Sequence, residues 1–356
     1  MSLKDAVNNA HSRWMNADGP EADTVISSRV RIARNLAGIP FPHLLDGKRS
    51  EDVINAVRLA MGNAEASELL GKLELTPLRE LSPLDRQILV DKHLISPDLL
   101  NNFESKAVVL RDDEVISIMI NEEDHLRVQC LLPGLQLKEA WENVDRVDDG
   151  LEKTLEYAFS EKLGYLTSCP TNVGTGMRAS VMLHLPGLKL TKQLGGVLNA
   201  ISKLGLTVRG LYGEGTEALG DLFQISNQIT LGQSEEEIIN NLVSITRQIL
   251  AQERAARQAL YRDRREIIED HVYRAYGILK YARILTSEEA MRLLSDLRLG
   301  MELKLLSGLP ARLLNELMVK IRPAFLIKMA GQDLPAYQRD VLRAQLIRKE
   351  FEGPAG

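Results

Sequence analysis

Three groups of residues in this 356-residue chain have the types and spacing for chemistry. Arg29 and Arg31 alternate within DTVISSRVRIARNL (residues 23–36), which puts both on one face of a strand. Arg127, Arg178 and Arg209 sit in or beside other predicted strands. Converging guanidinium groups hold phosphate oxygens bidentately, stay charged at any working pH, and can replace a glycine-rich phosphate loop. No GxxxxGK(S/T) loop occurs in the chain. The second group is Asn121-Glu122-Glu123-Asp124-His125, whose consecutive carboxylates repel one another unless a cation or guanidinium is brought to them. The third is Cys169-Pro170-Thr171-Asn172-Val173-Gly174-Thr175-Gly176, leading into Arg178, where small residues and two glycines let backbone approach a ligand closely. Each group also has a plainer reading: arginines on solvated strand faces, an acidic turn, a cysteine filling core.

Periodicity gives the elements that must position these groups. Val53, Ile54, Val57 and Ala60 have helical spacing, and Pro77 and Pro83 mark loops beyond them. Apolar runs at 107–110, 115–120 and 126–131, interrupted by DDE and NEEDH, predict a β-meander. A helix is predicted over about 137–163 and another over 191–204, with strands near 165–167, 180–185, 207–212 and 222–227. From Ser234 the pattern is helical throughout: Ser234 and Glu237 stand at capping-box spacing ahead of an Ile238, Ile239, Leu242, Ile245, Ile249 stripe. The chain therefore divides into a mixed body, 1–254, and an all-helical region, 255–356.

Composition narrows the function classes. Two cysteines, Cys130 and Cys169, are too few for a disulfide framework and lack zinc-site spacing, which predicts a reducing cytoplasm. The N-terminal residues are polar where a signal peptide needs an apolar core, and no apolar run approaches the roughly 20 residues that span a bilayer. A net charge of −5 argues against a nucleic-acid reader. The charge is uneven, however: residues 254–356 hold 19 Lys and Arg against 13 Asp and Glu, while 1–253 hold 25 against 36. The C-terminal region is thus suited to anionic partners.

NEEDHLR followed by CPTNVGTG, with SSRVR upstream and VRGLYGEGTE and QISN downstream, resembles the catalytic domain of phosphagen (guanidino) kinases and, within them, the bacterial protein-arginine kinases. The resemblance covers about residues 20–254. It implies an α+β fold with a mainly antiparallel sheet flanked by helices, and ATP with Mg2+ as cofactors. Nucleotide contacts are implied in Ser27-Ser28-Arg29-Val30-Arg31, at His93 and Arg127, in Arg178-Ala179-Ser180-Val181-Met182, and in Arg209-Gly210-Leu211-Tyr212-Gly213-Glu214. By the same resemblance Glu123 orients and deprotonates the attacking guanidinium, Glu122 reaches magnesium through water, and Cys169 lies beside the substrate. Glu217, or Glu214 nearby, clasps the substrate from the other side. The chemistry agrees: a guanidinium with pKa above about 12 is a poor nucleophile until carboxylates fix its plane and draw off a proton.

Departures from the small-molecule guanidino kinases shift the expected substrate. Those proteins resemble this chain only after a helical domain of about a hundred residues, whereas 28 residues precede Arg29 here. A more open pocket is expected, suited to an arginine on a protein surface. Met182 and Tyr212 replace a nucleotide-contacting histidine and a phosphate arginine of that group. The segment Arg339-Asp340-Val341-Leu342-Arg343-Ala344 places two arginines at i,i+4, an arrangement found on ordinary charged helices. It also resembles the RDxxRA segment of protein-arginine kinases, which implies allosteric phosphoarginine binding. The resemblance further implies a set of partners: protein substrates with exposed arginines, including a heat-shock repressor; a Clp-type unfoldase and protease; a small zinc-binding activator; and a second copy in a homodimer. A free-arginine kinase and a non-catalytic phosphoarginine-binding module are the rival readings.

Overall fold

The structure, a computed structural model, describes residues 3–64, 67–210 and 218–351. Among the described residues of the body ten strands form: β1 (Val25–Arg34), β2 (Leu73–Pro77), β3 (Ala107–Arg111), β4 (Ile116–Ile120), β5 (Leu126–Pro133), β6 (Phe159–Ser160), β7 (Gly164–Tyr165), β8 (Met177–His184), β9 (Leu206–Gly210) and β10 (Leu222–Asn227). Eight make one sheet in the order β2-β3-β4-β5-β1-β8-β10-β9, and every pair is antiparallel. The predicted meander is β3-β4-β5. Helices α1 (Leu3–Asn8), α2 (Gly47–Met61), α3 (Ser67–Leu70), α4 (Pro83–Asp91), α5 (Leu137–Glu152), α6 (Pro186–Leu190) and α7 (Leu194–Lys203) accompany the sheet. Then follow α8 (Glu235–Asp263), α9 (Arg265–Tyr281), α10 (Ser287–Glu302), α11 (Ala311–Lys320), α12 (Pro323–Ala330) and α13 (Ala336–Phe351).

Strand alternation divides the sheet into two chemically different faces. Val30 and Ile32 of β1, Val128 and Cys130 of β5, and Ala179 and Val181 of β8 turn to one face, where they join the apolar sides of α2, α5 and α8 in a single core. Arg29 and Arg31, Arg127 and Gln129, and Arg178 and Ser180 have the opposite parity and turn to the other face. That second face is apolar only at its flanks. On one side Leu131, Met182 and Leu222 pack with α9 to α13, and on the other Val108, Leu110 and Met119 pack with α1 and α4. A polar strip between two cores is the setting of the candidate site.

One expectation needs correcting. The helix predicted to about residue 163 ends at Glu152, although Leu151 and Leu155 are both buried and continue the helical spacing. Beyond Glu152 the chain is captured by other contacts: Ala158 N donates to Asn35 O at 2.7 Å, and the short β6–β7 hairpin closes at Gly164, φ +76°. The division proposed at 254/255 falls inside α8, a 29-residue helix that starts at the expected capping box, Glu237 N to Ser234 Oγ 3.2 Å and Ser234 N to Glu237 Oε2 2.8 Å.

Candidate active site

Sheet register brings the arginines together. Arg31 lies directly opposite Arg178 across the β1–β8 pair, and Arg209 lies opposite Gln224 across β9–β10. Like charges facing one another across a ladder are destabilising unless an anion joins them. Arg31 is held well below the usual guanidinium range by burial and by Arg29, Arg127 and Arg178 around it. Burial and then Arg209 and Arg127 also lower Arg178. Among the described residues Arg31, Arg178 and Arg209 form no ion pair, and the buried Arg178 Nε has no hydrogen-bond partner. This donor set fits the oxygens of a polyphosphate.

The NEEDH turn divides its residues between chemistry and support. Glu123 accepts from Arg127 Nη2 at 2.7 Å and is 44% exposed, whereas Glu122 is 1% exposed, paired with Arg127 Nη1 and hydrogen-bonded by the Ser96 hydroxyl. Asp124 and His125 are fully buried and are not free groups of the site. Asp124 Oδ1 accepts from Asn35 Nδ2 and Ser168 N, both at 2.7 Å. His125 Nδ1 accepts from Leu36 N at 3.0 Å, which leaves its Nε2 to donate to Pro40 O at 2.9 Å, a neutral tautomer that burial favours. Asn121 takes φ +60° to make the corner.

Cys169 reaches the same place, its Sγ 3.0 Å from Thr171 Oγ1. A cavity of about 480 Å3 is lined by Arg31, Glu123, Arg127, Cys169, Arg178 and Arg209. Thr171, Asn172 and Gly176 of the cysteine loop also line it, as do Asp98, Thr207 and Gln228, which were not anticipated. Thr207 alternates with Arg209 on β9 and was accessible to the same parity argument; Asp98, on a turn far away in sequence, carried no signal. The glycines of the cysteine loop serve protein packing: an added Cβ at Gly174 would lie 2.4 Å from Thr230 O, and one at Gly176 2.6 Å from Ala33 O. Gly174 is thus packed against other backbone, while Gly176 both meets Ala33 and lines the cavity.

A smaller cavity adjoins it, lined by Ser27, Arg29, His93, Leu131, Ser180, Met182 and Gln224. Arg29 donates to Gln224 Oε1 at 2.7 Å. Burial, then Arg29 and Arg322, push His93 down to about 3, so its ring is neutral. Ser28, Val30, Ala179 and Val181 were expected at the nucleotide, but the two-residue strand period turns their side chains away. Ser28 Oγ donates to Gly134 O at 2.7 Å, and the other three lie in the core. Leu211, Tyr212, Gly213, Glu214 and Glu217 lie outside the described residues, next to Gly210 at the end of β9.

The RDVLRA segment lies on α13 but does not present two paired arginines. Arg343 is buried, its Nε on Ile321 O at 2.8 Å and its Nη1 on Leu285 O at 2.7 Å and Asp340 Oδ1 at 2.5 Å. Asp340 closes on this internal guanidinium, Arg339 Nη1 donates to Leu334 O at 2.6 Å, and Ala344 is fully buried.

This sheet, with a guanidinium-lined cavity closed by carboxylate and thiol, is the architecture of the ATP:guanido phosphotransferases. The family model for their C-terminal catalytic domain matches residues 52–256, and that for the protein-arginine kinase McsB C-terminal domain matches 264–355. A protein-arginine kinase from Pelotomaculum thermopropionicum is 80% identical over 99% of both chains, and one from Desulforamulus reducens is 60% identical over 99% of this chain and 98% of its own. Among solved structures, a lombricine kinase matches with TM-score 0.56 and 27% identity, covering 67% of this chain and 68% of that one. The duplicated taurocyamine kinase from Schistosoma mansoni, with transition-state analogue components, matches with TM-score 0.59 and 26% identity over 67% of this chain and 34% of its own. The chain belongs to the protein-arginine kinase family.

Proposed function

We propose that this protein transfers the γ-phosphoryl group of ATP to a guanidinium nitrogen of arginine side chains in proteins. The observation that carries this reading is the single cavity in which Arg31, Arg127, Arg178 and Arg209 face Glu123 and Cys169. The arginines hold the phosphate oxygens and balance charge on the equatorial oxygens as the phosphoryl group moves. Glu123, partly exposed and oriented by Arg127, fixes the acceptor guanidinium and takes its proton. The N–P bond forms, the bond from phosphorus to the bridging oxygen breaks, and ADP leaves. Cys169 acts from the side as a hydrogen-bond partner of the guanidinium, with Thr171 holding its sulfur. Glu217 or Glu214 is the second clasp in this reading.

Among the described residues no group of three or more His, Cys, Asp or Glu forms a direct cation site. A magnesium ion would be carried by the phosphates, and Glu122, which pairs with Arg127 at the edge of the site, would reach it through water. The ion would supply charge neutralisation and alignment of the phosphate oxygens. Among the described residues no helix is long and apolar enough to cross a membrane, and a cytoplasmic role in protein quality control and stress response follows from the family resemblance. There the protein would mark clients for a Clp-type protease, inactivate a heat-shock repressor, take a small zinc-binding activator and form a homodimer. A phosphoarginine site at the start of α13 would use Arg339 and Asp340, with Arg343 and Ala344 beneath them.

The test is mass spectrometry, under non-acidic conditions, of an arginine-rich protein incubated with MgATP and the enzyme. Phosphate on arginine nitrogen is expected with wild type, and about a thousandfold less with Glu123→Gln, within the usual range for a lost general base. Phosphorylated free arginine without protein phosphoarginine would instead identify a metabolic kinase.

A further inference from the structure

Residues 3–16 form a strap between the nucleotide side of the sheet and the C-terminal helices. Its anchor is Lys92, fully buried, whose Nζ donates to Ala6 O at 2.8 Å, Asn9 O at 3.0 Å and Glu114 Oε1 at 3.0 Å. Ser12 also donates to Glu114. A buried ammonium with two backbone acceptors and a carboxylate fixes the path of the chain it binds. That path delivers Trp14, 1% exposed, whose indole Nε1 donates to Lys92 O at 3.1 Å and whose ring centroid is 5.6 Å from that of His93. His93 has φ +60°, a conformation a non-glycine residue keeps only when its surroundings impose it. Its ring lines the smaller cavity together with Arg29, Met182 and Leu131. Met182 and Leu131 belong to the same apolar cluster as Trp14.

The other end of the strap is held from the C-terminal region. Asn315 Nδ2 of α11 donates to Met15 O at 3.1 Å, and Arg298 of α10 donates to Asn315 Oδ1 at 2.5 Å. We propose that Trp14 is a positioning residue of the nucleotide site: the strap presses its indole against His93, and the Arg298–Asn315–Met15 chain makes that contact depend on the C-terminal helices. This rests on the reading of His93 as a nucleotide contact. Indole and imidazole in a tilted contact restrict one another's rotation, so nucleotide binding and the state of Trp14 report on each other.

The experiment uses the full chain. Trp14 and Trp141 are the only tryptophans, so Trp141→Phe leaves one indole as reporter. Titration with ADP should change Trp14 emission with a single saturation curve, and His93→Ala in that background should abolish the change. Trp14→Phe should raise KM for ATP about threefold and Trp14→Leu about tenfold, with KM for the protein acceptor within twofold of wild type. Asn315→Ala, which spares the indole, should raise KM for ATP in the same selective way. If His93→Ala raises KM for ATP while the Trp14 and Asn315 variants leave it unchanged, the proposal fails and the nucleotide reading of His93 stands. If His93→Ala leaves KM for ATP unchanged, both fail.

Discussion

Two sets of arginines in this molecule do opposite work. Arg34 is 1% exposed, binds Asp148 Oδ2 through Nε at 2.9 Å and Nη2 at 2.7 Å, donates to two backbone carbonyls, and lies 3.4 Å over the Tyr165 ring. Arg343 spends its donors in the same manner on Leu285 O, Ile321 O and Asp340. Arg31 and Arg178 are instead set against each other across a strand pair, and Arg178 Nε stays without a partner. A guanidinium whose donors are consumed inside the protein is a fastener; one left facing its own kind is waiting for an anion. Exposure follows the same division: Arg34 and Arg343 are buried, whereas Arg31 and Arg178 are only partly buried and line the cavity.

Substitutions can break this contrast. Arg34→Met should strand Asp148 in the interior and cost about 3–5 kcal/mol of stability, read by denaturant unfolding, while activity per folded molecule is retained. Arg178→Met should do the reverse, lowering kcat/KM for phosphoryl transfer about a hundredfold, as for a lost transition-state donor, with no loss of Tm because a like-charge pair is relieved. If Arg178→Met unfolded the protein and Arg34→Met did not, the assignment would be inverted. A smaller effect sharpens the picture at His93. Its native pKa, about 3, lies below the unfolded value near 6.5, so protons bind the unfolded chain first as pH falls. Its contribution is therefore complete above pH 6.5 and is lost between pH 6.5 and about 3, at about 1.4 kcal/mol per pH unit. Stability curves of wild type and His93→Gln should converge over that window.

Much of the site was legible because strand parity is a geometric rule. SSRVR predicted one face for Arg29 and Arg31, which the strand gives them; the pairing of Glu123 with Arg127, four residues on, is seen only in the structure. Parity also decided against Ser28, Val30, Ala179 and Val181, though a motif written as a continuous string hides this. What spacing does not encode is the partner on the far side of the fold. Asp124 and His125 resembled catalytic groups until Asn35, Ser168 and Pro40 claimed them. Arg343 matched a surface ligand pattern until two carbonyls, one capping the end of α11 and one in the α9–α10 connection, took its donors. The helix overrun at 152–163 has the same origin, since Leu155 keeps helical phase and only the tertiary bond from Ala158 to Asn35 shows that the chain has left the helix.

The unbroken α8 has a mechanical consequence. Its 29 residues, at about 1.5 Å each, make a strut of roughly 43 Å through the point where composition changes from acidic to basic. Glu253, wholly buried in it, accepts from Gly187 N at 2.8 Å and Leu188 N at 2.9 Å, while Arg257, one turn on, pairs with Glu253 and donates to His184 O at 3.1 Å. Scissors applied at residue 254 would therefore sever a girder, not a tether. The part that reads nucleotide and the part that carries the basic helices have no swivel between them at this point, and a shift in either is transmitted along the strut as displacement.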